Sequence, residues 1–420
     1  MRKHIIPLLT IMLLLACLLS AFKGGGKKPF LKTGTWRAVL QRPDGQQIVF
    51  NFTTAIEKNK QLLYVINGNE RLLVDSVKRE GDSLWIDMPF FASHFIARVL
   101  PDGNLEGIYS KRYGDRKQEI PFYAVYGNSE RYAASAKPVY NSTGNWEVVI
   151  GKGRRPEQVI GVFEQTGTGK VTGTFRTPTG DYRYLEGIVS GDSLKLSGFD
   201  GGHAISFVAK LDNDSTITQA HYYSGLAGHE TWTGHKNARV QLPDSYEQTK
   251  LKPGETRLNF RFPSTKGDTL SIQDGQYKNK VVVVQILGSW CPNCMDETAF
   301  LSEYYREHRN EGLEIIGLAY ERTTDFAAAK RSLEPFQKRF AVQYPFLVTG
   351  VAVSDSLRTQ KTVPQLESIK AFPTTIFIDK KGNVRKIHTG LDGPATGKYY
   401  EVFKQEFNEE ITALLKEDQQ

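Results

Sequence analysis

The chain has 420 residues, 40% hydrophobic and 24% charged, the balance of a globular protein and more length than one core absorbs. Arg2, Lys3, Lys23, Lys27, Lys28 and Lys32 supply most of the net charge of +8, and no acid lies before residue 33. The remainder is nearly neutral, with no run of basic residues of the kind nucleic-acid binding needs, so nucleic acid is excluded as a partner.

Residues 1–22 are predicted to be an export signal: Arg2 and Lys3 precede an apolar run from Ile5 to Phe22. Three fates fit this segment. Cleavage after Ala21 would release the body of the protein, and retention would leave an anchor. Leu14-Leu15-Ala16-Cys17 also resembles the lipobox of bacterial lipoproteins, which would place a lipid on Cys17. Each predicts a protein in the bacterial periplasm or cell envelope, with a membrane tether in two of the three. Residues 23–32, with Gly24-Gly25-Gly26, read as a flexible linker.

Two similar segments follow. Thr33-Gly34-Thr35-Trp36 matches Thr143-Gly144-Asn145-Trp146, and Gly81-Asp82-Ser83-Leu84 matches Gly191-Asp192-Ser193-Leu194 at the same offset. Phe95-Ile96-Ala97-Arg98-Val99 resembles Phe207-Val208-Ala209-Lys210-Leu211 at nearly that offset. Blocks repeating in order predict a duplicated domain, over 33–134 and 143–238. Short alternating runs such as 47–52 and 205–209, with Asp44-Gly45, Asn67-Gly68 and Asp102-Gly103 turns, make each copy a small antiparallel β-barrel or sandwich. The Gly-x-Trp openings resemble those of lipocalin-like barrels. Such a barrel could hold a ligand or partner, although 33–238 contains no ligand signature.

Residues 239–256 read as a second linker. Beyond it, 257–420 changes period: a continuous apolar strand at 280–287, a helix from Cys294, and a strand at 313–318. A helix near 325–340, strands at 344–348, 374–379 and 384–389, and a last helix at 398–416 complete an α/β sandwich on a mixed sheet. The fold class is thus multidomain α+β, with two β units followed by a thioredoxin-like domain, and 254–420 is expected to fold alone.

The chain has three cysteines, one in the signal and two in Cys291-Pro292-Asn293-Cys294. A cysteine just ahead of a helix meets unpaired N–H groups and the positive end of the dipole, which favour its thiolate. The second, one turn later, can resolve a mixed disulfide. Cys291 is therefore the candidate nucleophile and Cys294 the resolving thiol. No second cluster offers ligands for zinc, so no metal and no cofactor beyond this redox-active pair is expected.

Residues 257–417 resemble the TlpA/ResA-like group of thioredoxin-fold proteins, within the redoxin superfamily. The matching residues are Gly288-Ser289-Trp290-Cys291-Pro292-Asn293-Cys294, Glu297, Ala371-Phe372-Pro373-Thr374-Thr375, the run 376–384 and Gly390. The resemblance implies a cis Pro373 lying against the dithiol, with Trp290, Phe372, Pro373 and Thr374 receiving substrate. It also implies carboxylates, Glu297 and Glu321, that modulate the thiols. Thioredoxin has a buried aspartate six residues before the first cysteine, where this chain has Gln285. The implied activity is disulfide reduction in exported proteins, apocytochromes among them, with electrons from a membrane thiol donor. A peroxiredoxin-like peroxidase is the alternative within the superfamily, though Gly288 stands where its threonine would be; a binding protein with an accessory redox domain is the other.

Overall fold

The computed structural model describes residues 30–113, 116–151 and 156–417. The expected signal and Cys17 lie outside them. Among the described residues no helix is long and apolar enough to cross a membrane.

Alternating burial along short runs makes the first half of the chain β throughout. Strand Gly34–Gln41 pairs with both Gln47–Glu57 and Arg116–Tyr126 in a nine-stranded antiparallel meander, whose edges are Glu70–Val74 and Ser76–Glu80. In the second β unit, strand Gly144–Ile150 pairs with Glu157–Gln165 and Gly228–Lys236, and the ladder returns through Lys170–Thr177 to Glu157–Gln165, so this sheet closes. Trp36 and Trp146 sit on the opening strands and are fully buried. Their indoles donate to Thr54 Oγ1 and to the Ser142 carbonyl, which satisfies the N–H that burial would otherwise strand.

The C-terminal domain is a five-stranded mixed sheet. We number its strands β1 (Val281–Leu287), β2 (Leu313–Ala319), β3 (Phe346–Val348), β4 (Thr374–Ile378) and β5 (Val384–Thr389), in spatial order 3-2-1-4-5. The first three are parallel and the last two antiparallel. Its helices are α1 (Pro292–His308), α2 (Phe326–Arg339), the short α3 (Arg358–Thr362) and α4 (Lys398–Lys416). β1 is buried along its whole length. Val281 and Val283 face Leu301 of α1 and Phe407 of α4, while Val282 and Val284 face Leu258, Phe260 and Val363. The segment expected to be a linker is stitched to this domain by Thr389 N to the Ser245 carbonyl and by a bridge between Leu251 and Leu366.

The three bodies share side chains. Phe199 of the second β unit is stacked on Phe50 of the first (centroids 4.2 Å apart) and meets Phe95 and Tyr109. Phe90 of the first stacks on Phe340, just past α2. Arg183, in the connection between strands Lys170–Thr177 and Leu185–Ser190, joins all three. Its Nε and Nη2 hold Asp296 of α1 at 2.9 and 3.0 Å, Nη2 also reaches Glu70 of the first β unit at 2.7 Å, and Nη1 reaches Asp200 at 3.3 Å. Burial works against the guanidinium charge, but Asp296, Glu70 and Asp200 hold its pKa well above the ordinary value.

Removing this cation would leave Glu70, Asp200 and Asp296 without the guanidinium that pairs them. Arg183→Ala should therefore cost about 3–5 kcal/mol in urea unfolding, whereas Arg183→Lys, which keeps the charge but loses the planar fork, should cost less. An unchanged urea midpoint in Arg183→Ala would show that the cluster does not hold the bodies together.

Candidate functional site

The dithiol is built by the junction of β1 and α1. β1 ends at Leu287, and Gly288 lets the chain turn so tightly that the Trp290 indole folds over it; a Cβ there would collide with Trp290 Nε1. That indole N–H donates to the Tyr320 carbonyl at 2.7 Å. Cys291 is the N-cap of α1, and Pro292 takes the first helical position, where a missing N–H costs nothing. The helix thus begins two residues earlier than the sequence-based expectation of Cys294.

Cys291 and Cys294 form a disulfide, and the Cys294 N–H lies 3.1 Å from Cys291 Sγ. That N–H is one of the unpaired donors of the helix start, placed where it would stabilise a thiolate. Cys291 is 4% exposed and Cys294 fully buried. The Phe372–Pro373 peptide is cis, and the Phe372 carbonyl lies 3.4 Å from Cys291 Sγ. The Phe372 ring meets Trp290 edge-on.

The structure gathers Cys291, Cys294, Trp290, Phe372 and Pro373 at one locus and places the other expected residues around it. Thr374 is buried, and its hydroxyl donates to the Ala371 carbonyl. Glu321 accepts from the Ser289 N–H (2.8 Å) and hydroxyl (2.7 Å), so it braces the loop ahead of Cys291, with burial pushing its pKa up. Glu297 lies three residues after Cys294, on the buried face of α1. It accepts from Thr375 Oγ1 at 2.6 Å and from Gln285 Nε2 at 2.8 Å, both neutral donors. Burial outweighs those hydrogen bonds and pushes its pKa up to about 7.

Sequence reasoning gave no contact to three contributors. Thr375 is the threonine that reaches Glu297. Gln285 sits opposite Thr375 in the β1–β4 ladder and donates to the same carboxylate. Asp181 of the second β unit accepts from the Gly393 N–H at 2.6 Å and from Asn293, inside the Cys-x-x-Cys motif, at 3.3 Å. Gly180 beside it leaves room for Asn293, which a Cβ would meet at 2.8 Å. Burial and the nearby Asp296 raise the Asp181 pKa to about 7. These contacts pair residues between 12 and 212 positions apart and carry no local signal. Among the described residues no group of three or more His, Cys, Asp or Glu is arranged to hold a metal.

Residues 252–402 match the Redoxin family. With the dithiol at a helix N-terminus beside a cis-proline, this defines a thioredoxin-like protein-disulfide oxidoreductase. Within that class the chain is similar to the thiol-disulfide oxidoreductase ResA of Geobacillus kaustophilus, at 28% identity over 34% of this chain and 73% of the relative. ResA of Bacillus subtilis is 25% identical over 33% of this chain and 69% of its own. A solved thiol-disulfide oxidoreductase from Bacteroides fragilis is 20% identical, covering 35% of this chain and 99% of that one, with a TM-score of 0.27.

Glu297 gives this site a pH signature. An unfolded chain releases the Glu297 proton near 4.5, whereas the folded chain holds it until about 7. Between those values the folded state binds more protons, so stability falls as pH rises. Oxidised wild-type protein should lose stability across this window relative to oxidised Glu297→Gln, whose amide does not titrate. Parallel stability–pH curves would place Glu297 at its ordinary pKa.

Proposed function

We propose that the chain is an exported disulfide reductase of the cell envelope, drawing electrons from a membrane thiol donor and delivering them to disulfides in exported proteins, apocytochromes among them. The observation that carries this reading is the Cys291–Cys294 disulfide at the start of α1, with Glu297, whose pKa is pushed up to about 7, buried three residues on. The apolar segment behind Arg2 and Lys3 and the similarity to ResA support the location and direction.

In the reduced protein, Cys291 attacks one sulfur of the substrate disulfide. A mixed disulfide forms, and the other substrate sulfur leaves as a thiolate and takes a proton. Glu297 receives the Cys294 proton, and the Cys294 thiolate attacks Cys291 Sγ. The second substrate thiol is released and the Cys291–Cys294 disulfide forms: two electrons have passed from the dithiol to the substrate. Trp290, Phe372 and the cis Pro373 form the apolar wall against which the substrate lies, and Thr374 contributes backbone. A peroxidase reading is weaker, because Gly288 offers no hydroxyl to a peroxide and Trp290 fills the space above it.

In full-length protein, Cys291→Ser should abolish insulin reduction, and Cys294→Ser should accumulate mixed disulfides visible on non-reducing gels. Glu297→Gln should slow turnover at neutral pH by about 10²-fold, the lower end of what a positioned general base contributes. Insulin turnover retained by Cys291→Ser would sink the mechanism. Equilibration with a redox buffer tests direction: a potential near the thioredoxin value of about −270 mV fits a reductase, and one near about −120 mV would make the protein an oxidant.

A further inference from the structure

A cleft of about 1030 Å³ runs between the first β unit and the Redoxin domain, and it ends on Ser289, Trp290 and Glu321, next to Cys291. One wall is the loop Met88-Pro89-Phe90-Phe91-Ala92. Phe91 and Ala92 both have positive φ, +68° and +47°, which is costly for two consecutive residues with side chains. The loop is held there by the surrounding structure: Arg112 N donates to the Ala92 carbonyl, and Phe90 stacks on Phe340. The loop is thereby fixed as a wall at the rim of the cleft.

The opposite wall is a single face of α2. Arg331, Pro335, Lys338 and Arg339 recur at the i, i+4, i+7, i+8 spacing of one helical stripe and all line the cleft. Lys338 and Arg339 also favour the helix C-terminus electrostatically, a role that would suffice for them alone, but Arg331 lies two turns earlier. Arg112 from the first β unit and Arg322, whose guanidinium lies 5.4 Å from the Trp290 ring centroid, add cations from other elements. Against these stand Asp75, Asp87 and the buried Glu321. The lining is therefore predominantly positive over an apolar floor, and at about 1030 Å³ the cleft is too large for a small thiol to fill.

We propose that this cleft is the substrate-recognition site: it takes an extended acidic segment of the protein whose disulfide is reduced, and seats that disulfide at Trp290 and Cys291. The proposal rests on the exchange reaction above, and adds what that reaction does not specify, the charge and shape of the substrate. Neither wall belongs to the Cys-x-x-Cys motif, and one comes from a β unit that has no part in the chemistry.

The test uses the full chain and two synthetic peptides with the same disulfide loop, one flanked by Asp and Glu and the other by Lys and Arg. Neutral bis(2-hydroxyethyl) disulfide is the reference for intact chemistry. Wild-type kcat/KM should favour the acidic peptide by about tenfold or more, mainly through KM, and the preference should shrink with added salt. The triple variant Arg331→Glu, Lys338→Glu, Arg339→Glu, all at exposed or half-exposed positions, should erase or invert it. Equal kcat/KM for the two peptides, or a preference that survives the triple variant, overturns the proposal. Anisotropy titration with labelled peptides carrying serine in place of cysteine reads the cleft without the reaction. Should the neutral disulfide not be turned over, the reductase reading fails, while tighter binding of the acidic peptide, lost in the triple variant, still upholds the cleft.

Discussion

One guanidinium decides how this molecule is assembled. Arg183 gathers a carboxylate from each of three bodies, Glu70, Asp200 and Asp296, at distances of 2.7–3.3 Å, with Arg183 and Asp200 buried and the other two largely covered. Buried charges are tolerated only when paired with good geometry, and the forked hydrogen bond to Asp296 supplies it. One cation cannot balance every acid nearby. Asp200 is kept ionised by His203 and Arg183 against its burial, whereas burial and the nearby Asp296 push the Asp181 pKa up to about 7. Because Asp296 is on the first turns of α1, whatever fixes Arg183 also fixes the helix that carries the dithiol.

That constraint leaves the dithiol open from one direction. On the Asn293 side the second β unit is in contact through Asp181 and Gly180, so a substrate cannot approach there without parting the two. On the Trp290 side the cleft is open. A free thioredoxin-like domain would present both sides equally. Here the β half, which contains no cysteine, restricts approach by occupying space, and this agrees with Cys291 being only 4% exposed.

Much of this was legible in the sequence, wherever the cause was local. The apolar run of β1, the Cys-x-x-Cys at a helix start, the Asn67-Gly68 turn and the alternating strands of the first half all follow from periodicity and turn chemistry. The short helix Arg358–Thr362 was missed because five polar residues carry no amphipathic period. Arg183 was invisible for a different reason: nothing beside it announces partners at positions 70, 200 and 296. The basic cleft was hidden in the same way. Its cations come from positions 111, 112, 322, 331, 338 and 339, and a nearly neutral chain shows no cluster until it folds.

Gln285 was the residue that looked out of place, and the fold gives it a reason. Asp296 and Glu297 are neighbours on α1, turned about 100° apart by the helix. Asp296 faces Arg183; Glu297 faces the sheet, where it meets only the neutral donors Gln285 and Thr375. Adjacent carboxylates thereby meet opposite surroundings, one held by a guanidinium and the other by neutral donors. An aspartate at position 285 would set a second carboxylate against Glu297, and their repulsion would drive its pKa beyond the useful range. The amide instead donates to Glu297 Oε2, which partly offsets burial and keeps the value near 7. Where thioredoxin has an aspartate on the strand, this chain buries a carboxylate on the helix above a non-ionisable residue, and one buried acid without a second beside it is what keeps that carboxylate near 7.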